Sequence, residues 1–154
     1  MSFVEELVPH LPEWLGRQRW FGAKGREVSA VDVVSATSLT DTEPLLDLLV
    51  LAVSFADGGP VQHYQLLLGR RQEARGELEH VTIGRVGGLC AYDALWDHTA
   101  SAWLLEAVRA GRTIGPVRFV PEAGATLAAP GLGRVMGAEQ SNTSVVFGER
   151  TIMK

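Results

Sequence analysis

Leu49-Val-Leu-Ala-Val-Ser-Phe-Ala-Asp-Gly-Gly-Pro-Val-Gln-His-Tyr-Gln-Leu-Leu-Leu68 decides the fold class. Leu49, Leu51, Val53 and Phe55 alternate with their neighbours, the period of a strand with one buried face. Asp57-Gly-Gly-Pro60 carries strong turn chemistry, and Tyr64, Leu66 and Leu68 alternate with His63 and Gln65 on the way back. The stretch predicts an antiparallel β-hairpin.

On its N-terminal side, Val28 to Thr40 is rich in Val, Ser and Thr, with Val31 and Val33 on one face, and predicts a long strand. On its C-terminal side, a polar segment from Gly69 to Glu79 precedes a further strand from His80 to Val86 that ends at Gly87-Gly88. Near the start of the chain, Leu7, Leu11, Trp14 and Leu15 recur at helical spacing and predict a helix over Leu11 to Arg19, with Pro9 and Pro12 tolerated around its first turn. Antiparallel strands against an N-terminal helix predict an α+β fold of two layers, one sheet face packed and the other free.

From Ala91 to Ala110 the period lengthens. Tyr92, Trp96, Trp103 and Ala107 share a face, Leu104 and Val108 lie beside it, and Gly111 stands where a helix would be capped. This predicts the longest helix, with Asp93, Asp97 and His98 in its first turns as capping and solvated charge near the positive end of the helix dipole. Arg112 to Pro121 and Ala125 to Ala128 read as further strands. The Pro130-Gly-Leu-Gly133 turn divides the chain into a domain over residues 1–133 and a second unit over 134–154, whose hairpin is expected to pack on the sheet of the first.

Composition narrows the functions. A chain of 154 residues with 46% hydrophobic content and a mean hydropathy of +0.09 can bury one sizeable core. A net charge of −4 with scattered Arg, and Lys only at positions 24 and 154, offers no field for nucleic acid. The acidic start, Met1-Ser-Phe-Val-Glu-Glu6, differs from a secretory signal, and the longest apolar run, Leu45 to Phe55, is broken by Asp47 and Ser54. No membrane partner and a cytoplasmic location are expected. The single cysteine, Cys90, can form no internal disulfide and reads as a small buried apolar residue.

Two segments could carry function. Gln18-Arg-Trp-Phe-Gly-Ala-Lys-Gly25 reads as a loop in which Trp20 and Phe21 anchor to the core while Arg17, Arg19 and Lys24 face solvent. Gly137 to Lys154 runs from a turn of small Ser, Thr and Asn residues into an apolar strand, a Gly-Glu-Arg turn and a second strand closing on lysine. Small residues let backbone N–H groups and hydroxyls approach phosphate oxygens, and a strand lysine adds compact positive charge. Gln140 to Ser144 contains no glycine and is not a Walker sequence, so these residues alone read as an ordinary hairpin.

Together with Ala91-Tyr-Asp-Ala-Leu-Trp-Asp97 and Glu139-Gln-Ser-Asn-Thr-Ser-Val-Val-Phe-Gly148, the Gln18–Gly25 motif resembles the actinobacterial maltokinases, in the family's order and over essentially the whole chain. The resemblance implies a cystatin-like antiparallel sheet packed with helices as an N-terminal cap, followed by the first strands of a kinase-like N-lobe of the aminoglycoside-phosphotransferase type. It implies transfer of the γ-phosphoryl of ATP to maltose, giving maltose 1-phosphate towards α-glucan and glycogen synthesis. By position it assigns Gln140, Ser141, Asn142, Thr143, Ser144 and Lys154 to the nucleotide phosphates. It places no catalytic residue and no metal ligand in this chain. ATP and magnesium are implied for the parent protein, with neither bound tightly here, and the partners implied are the remaining kinase lobes and the sugar they hold. The 154 residues alone are expected to be inert. The front end also resembles that of glucosamine and aminoglycoside-type kinases, which gives an alternative sugar, and a free-standing binding or regulatory module is the reading from a different class.

Overall fold

The computed structural model describes residues 2–127, 133–137, 143–148 and 151–153. Its fold is α+β. A five-stranded, wholly antiparallel sheet in the order β1-β2-β3-β5-β4 carries helices on both faces, and two small sheets follow it.

The N-terminus enters as helix α1, Phe3–Leu7, opened by a capping box in which Ser2 and Glu5 satisfy each other's backbone N–H groups. A 3₁₀ turn at Val8–His10 joins it to α2, Leu11–Gly16. The helical region therefore starts earlier and ends earlier than the sequence predicts. Pro9 and Pro12 each remove a donor from the i→i−4 ladder, which leaves two short helices in place of one.

Strands β1, Val28–Ser38, β2, Leu45–Phe55, and β3, Gln62–Arg71, form the expected meander around the Asp57–Pro60 turn. The chain then crosses to the far edge as β4, Thr82–Val86, and returns as β5, Leu89–Asp93, between β3 and β4. Gly87 and Gly88, both at positive φ (58° and 77°), make the two-residue turn that reverses the chain. Ala91–Asp93, expected as the start of the long helix, is thus a strand. After a 3₁₀ turn at Ala94–Trp96, the helix α3 occupies only His98–Arg109. It closes as a Schellman motif, with Arg112 N–H donating to the Ala107 carbonyl at 3.0 Å and Gly111 N–H to Val108 at 3.1 Å.

Alternation along β2 sorts the core into two halves. Leu49, Leu51, Val53 and Phe55 pack with Leu66 and Leu68 under Leu7, Leu11, Trp14 and Leu15 of the N-terminal helices. Leu46 and Leu67 point the other way and pack with Tyr92, Ala100, Ala107 and Phe119. The second sheet face, expected to be free, is therefore covered over this half by α3. Cys90 lies buried in β5.

Beyond α3, β6, Thr113–Ile114, and β7, Val117–Arg118, form a small hairpin. Residues 125–127 adopt no strand, and Ala128 lies outside the described residues. The last sheet, ordered β10-β9-β8, consists of β8, Gly133–Val135, β9, Val145–Phe147, and β10, Thr151–Met153. Val145 and Phe147 pack on Leu105 of α3. The hairpin thus seats on α3, not on the five-stranded sheet as the sequence suggests, so α3 forms a wall between two sheets.

Candidate functional site

The Gln18–Gly25 loop is fixed from beneath by aromatic rings. Phe21 is buried against Tyr64, with ring centroids 5.1 Å apart, and against Phe55. Trp20 meets Trp14 edge-on at 5.9 Å and lies 5.8 Å from the Tyr64 ring. The side-chain amide of Gln18, itself buried, donates to the Trp14 carbonyl at 2.9 Å. Arg17, Arg19 and Lys24 are exposed, as the sequence suggests. Arg19 is more than a solvated cation, because its Nη1 donates to the carbonyl of Gly137 at 2.7 Å.

Asp93 and Asp97, read from sequence as capping and solvated charge, do cap, but both are buried. Asp93 receives the Leu95 amide, and Asp97 receives the Thr99 amide at 2.9 Å at the start of α3. Burial pushes the Asp93 carboxyl up to about 6, against the opposing pull of its hydrogen bonds from Leu95 and Trp20. Burial acts on Asp97 too. There the Tyr92 hydroxyl at 2.6 Å and the Arg71 guanidinium at 2.7 Å outweigh it and hold the carboxyl below its ordinary value. The Arg71, Tyr92 and Asp97 cluster ties β3, β5 and α3 together and is fully paired, the arrangement of a structural network.

Of the phosphate-facing residues expected from sequence, Gln140, Ser141, Asn142 and Lys154 lie outside the described residues. Thr143 is half-buried, and Ser144 is buried at 2% exposure, its carbonyl accepting from Met136 N–H at 2.9 Å. That bond closes the base of the β8–β9 pair. His98 Nδ1 donates to the carbonyl of Gly133 at 2.6 Å, so β8 is held at its start by α3 and just past its end by Arg19.

A cleft of about 470 Å³ opens where Trp20 and Tyr64 face Leu104, Phe119, Thr143 and Met153. Among the described residues its lining is mostly apolar, with His63, Tyr64, Gln65 and Thr143 as the polar groups. Among the described residues no group of three or more His, Cys, Asp or Glu is placed to hold a metal ion, and no helix is long and apolar enough to cross a membrane.

Sequence reading missed Arg71, Tyr92 and the burial of both aspartates. One signal was present: Arg70 and Arg71 end a strand that is apolar from Leu66 to Leu68, and charges so placed need partners.

A curled antiparallel sheet with helices on both faces and a small seated sheet defines an α+β domain. Residues 14–97, more than half of the chain, match the maltokinase N-terminal cap domain, and the chain belongs to that family. The match runs from Trp14 of α2 to Asp97 at the N-cap of α3, so it takes in the Gln18–Gly25 loop, all five strands and the buried cluster. The small sheet of β8, β9 and β10 lies beyond it.

Proposed function

We propose that this chain is the cap and the first nucleotide-lobe strands of a maltokinase in the kinase-like superfamily, acting in the cytoplasm on ATP and maltose. The reaction moves the γ-phosphoryl group to the anomeric hydroxyl, giving ADP and maltose 1-phosphate for α-glucan synthesis. The cap-family match over residues 14–97 carries this reading. On this reading the cap ends near residue 133 and the separate sheet of β8 to β10 begins the nucleotide lobe.

In this reading the Gln140–Ser144 stretch and Lys154 face the nucleotide phosphates. The donor set is chemically suited to them, since hydroxyls, amides and one lysine are the groups that neutralise and orient polyphosphate. Magnesium supplies charge neutralisation when bound. Its ligands and the base belong to other lobes of the parent protein, which also hold the sugar. The 154-residue polypeptide by itself is then inert.

The decisive experiment is to express the complete reading frame and follow ATP-dependent phosphorylation by mass spectrometry, with maltose and glucosamine offered separately. Maltose 1-phosphate supports the reading. Phosphorylation of glucosamine alone replaces the sugar, and failure to bind ATP at all returns the chain to the class of binding modules.

A further inference from the structure

We infer that Arg19 is a positioning residue through which the cap sets the orientation of the strand pair bearing Thr143 and Ser144, and so tunes nucleotide affinity. The inference rests on the proposed nucleotide role of that stretch, but its mechanical half stands on geometry alone.

The Arg19 backbone springs from a locked base. Its neighbours on both sides are fixed: Gln18 is hydrogen bonded to Trp14, and Trp20 is edge-on to Trp14 and packed beside Tyr64. The guanidinium itself is exposed and makes one described hydrogen bond, to Gly137 at 2.7 Å. On the receiving side, Met136 N–H donates to Ser144, so displacement of Gly137 is passed across the pair to β9. At the opposite end of β8, His98 Nδ1 donates to the Gly133 carbonyl. The small sheet already rests on α3 through Val145 and Phe147 against Leu105, and the Arg19 bond adds a second polar tie just past the end of β8. Loss of the exposed Arg19 therefore loosens that end of the strand pair while leaving the core of the cap untouched.

The experiment uses the protein from the complete reading frame, with Arg19→Ala, Arg19→Lys and Lys24→Ala, the last removing an exposed cation from the same loop. Amide hydrogen exchange at Val145 and Val146 reports the strand pair, and calorimetric titration with ATP reports affinity. Arg19→Ala should speed exchange at both amides and weaken ATP binding by roughly three- to tenfold, the range of one hydrogen bond. The KM for sugar and the melting temperature should stay near those of the parent protein. Arg19→Lys should recover part of the affinity, and Lys24→Ala should change neither readout. Unchanged exchange, or faster exchange with unchanged ATP affinity, overturns the inference. So does a parent protein that binds no ATP. A parent that binds ATP but phosphorylates no maltose overturns the sugar assignment while leaving the role of Arg19 to be decided by these readouts.

Discussion

Arg71 on β3 and Asp97 at the N-cap of α3 form a buried ion pair, Nη2 lying 2.7 Å from Oδ2, with side chains only 9% and 3% exposed. The Tyr92 hydroxyl donates to the same Oδ2 from β5. One carboxylate oxygen thus joins two strands to a helix, while its twin caps that helix through Thr99.

Removing one member of such a pair strands the other charge away from water. Asp97→Ala should therefore cost about 3–5 kcal/mol of stability, including loss of the helix cap. Asp57→Ala, which breaks the exposed pair with Arg26, should cost far less. Chemical denaturation midpoints of the two variants decide this, and near-equal losses would refute it.

Asp93 gives the opposite kind of pH dependence. Its folded carboxyl titrates at about 6, above the ordinary 3.8, so between those values the folded state holds a proton that the unfolded state has released. The contribution of this group to stability is fully present below the ordinary value and is lost as pH rises through about 6. A displacement of that size corresponds to about 3 kcal/mol. Wild type should lose that much relative to Asp93→Asn between roughly pH 3 and pH 8. Taking the difference cancels the opposite dependence of Asp97. A stability difference independent of pH would remove the argument.

Gly69 faces the Tyr92 ring across the β3–β5 ladder, and a Cβ there would lie 2.6 Å from the ring carbon bearing the hydroxyl. Tyr92 cannot swing aside without leaving Arg71 and Asp97. Gly69→Ala should destabilise by about 1–3 kcal/mol through overpacking. In a Tyr92→Leu background the same change should cost markedly less, a coupling that a double-mutant cycle measures.

Gly133 is enclosed in the same manner at the start of β8. A Cβ would meet Ser101 Oγ at 2.5 Å, Val145 Cγ1 at 2.7 Å and Phe147 Cε1 at 2.8 Å. Gly133→Ala should lift the small sheet from α3. The expected signature is faster amide exchange at Val145 to Phe147, with protection in β2 and β3 retained. Loss of protection throughout would show instead that the two sheets fold as one unit.

The β1 to β3 meander was legible because burial on one face writes itself as a period of two, and because Asp57-Gly-Gly-Pro60 names its own turn. Ala91-Tyr-Asp-Ala-Leu-Trp-Asp97 was not. Its aromatics repeat at helical spacing because Tyr92 in β5 and Trp96 in the next turn both face the α3 side of the core, although the backbone changes type between them. The Gly87-Gly88 pair was the available correction, since two adjacent glycines between Val86 and Leu89 fit a tight hairpin better than a strand end. At the candidate site, the cationic loop and the capping role of Asp97 were visible. The partners were not: the residues from Arg19 to Gly137, and from Arg71 to Asp97, are too far apart along the chain for any local pattern to couple them.

Because α3 stands between the two sheets, tension applied at β10 passes into β9, whose Val145 and Phe147 rest on the helix, and into β8, tied to the rest of the chain through His98 and Arg19. The outer pairs are three residues long, whereas β1, β2 and β3 run to ten or eleven. Under load the molecule should therefore fail in order, shedding the small sheet like a mechanical fuse while the meander still bears force.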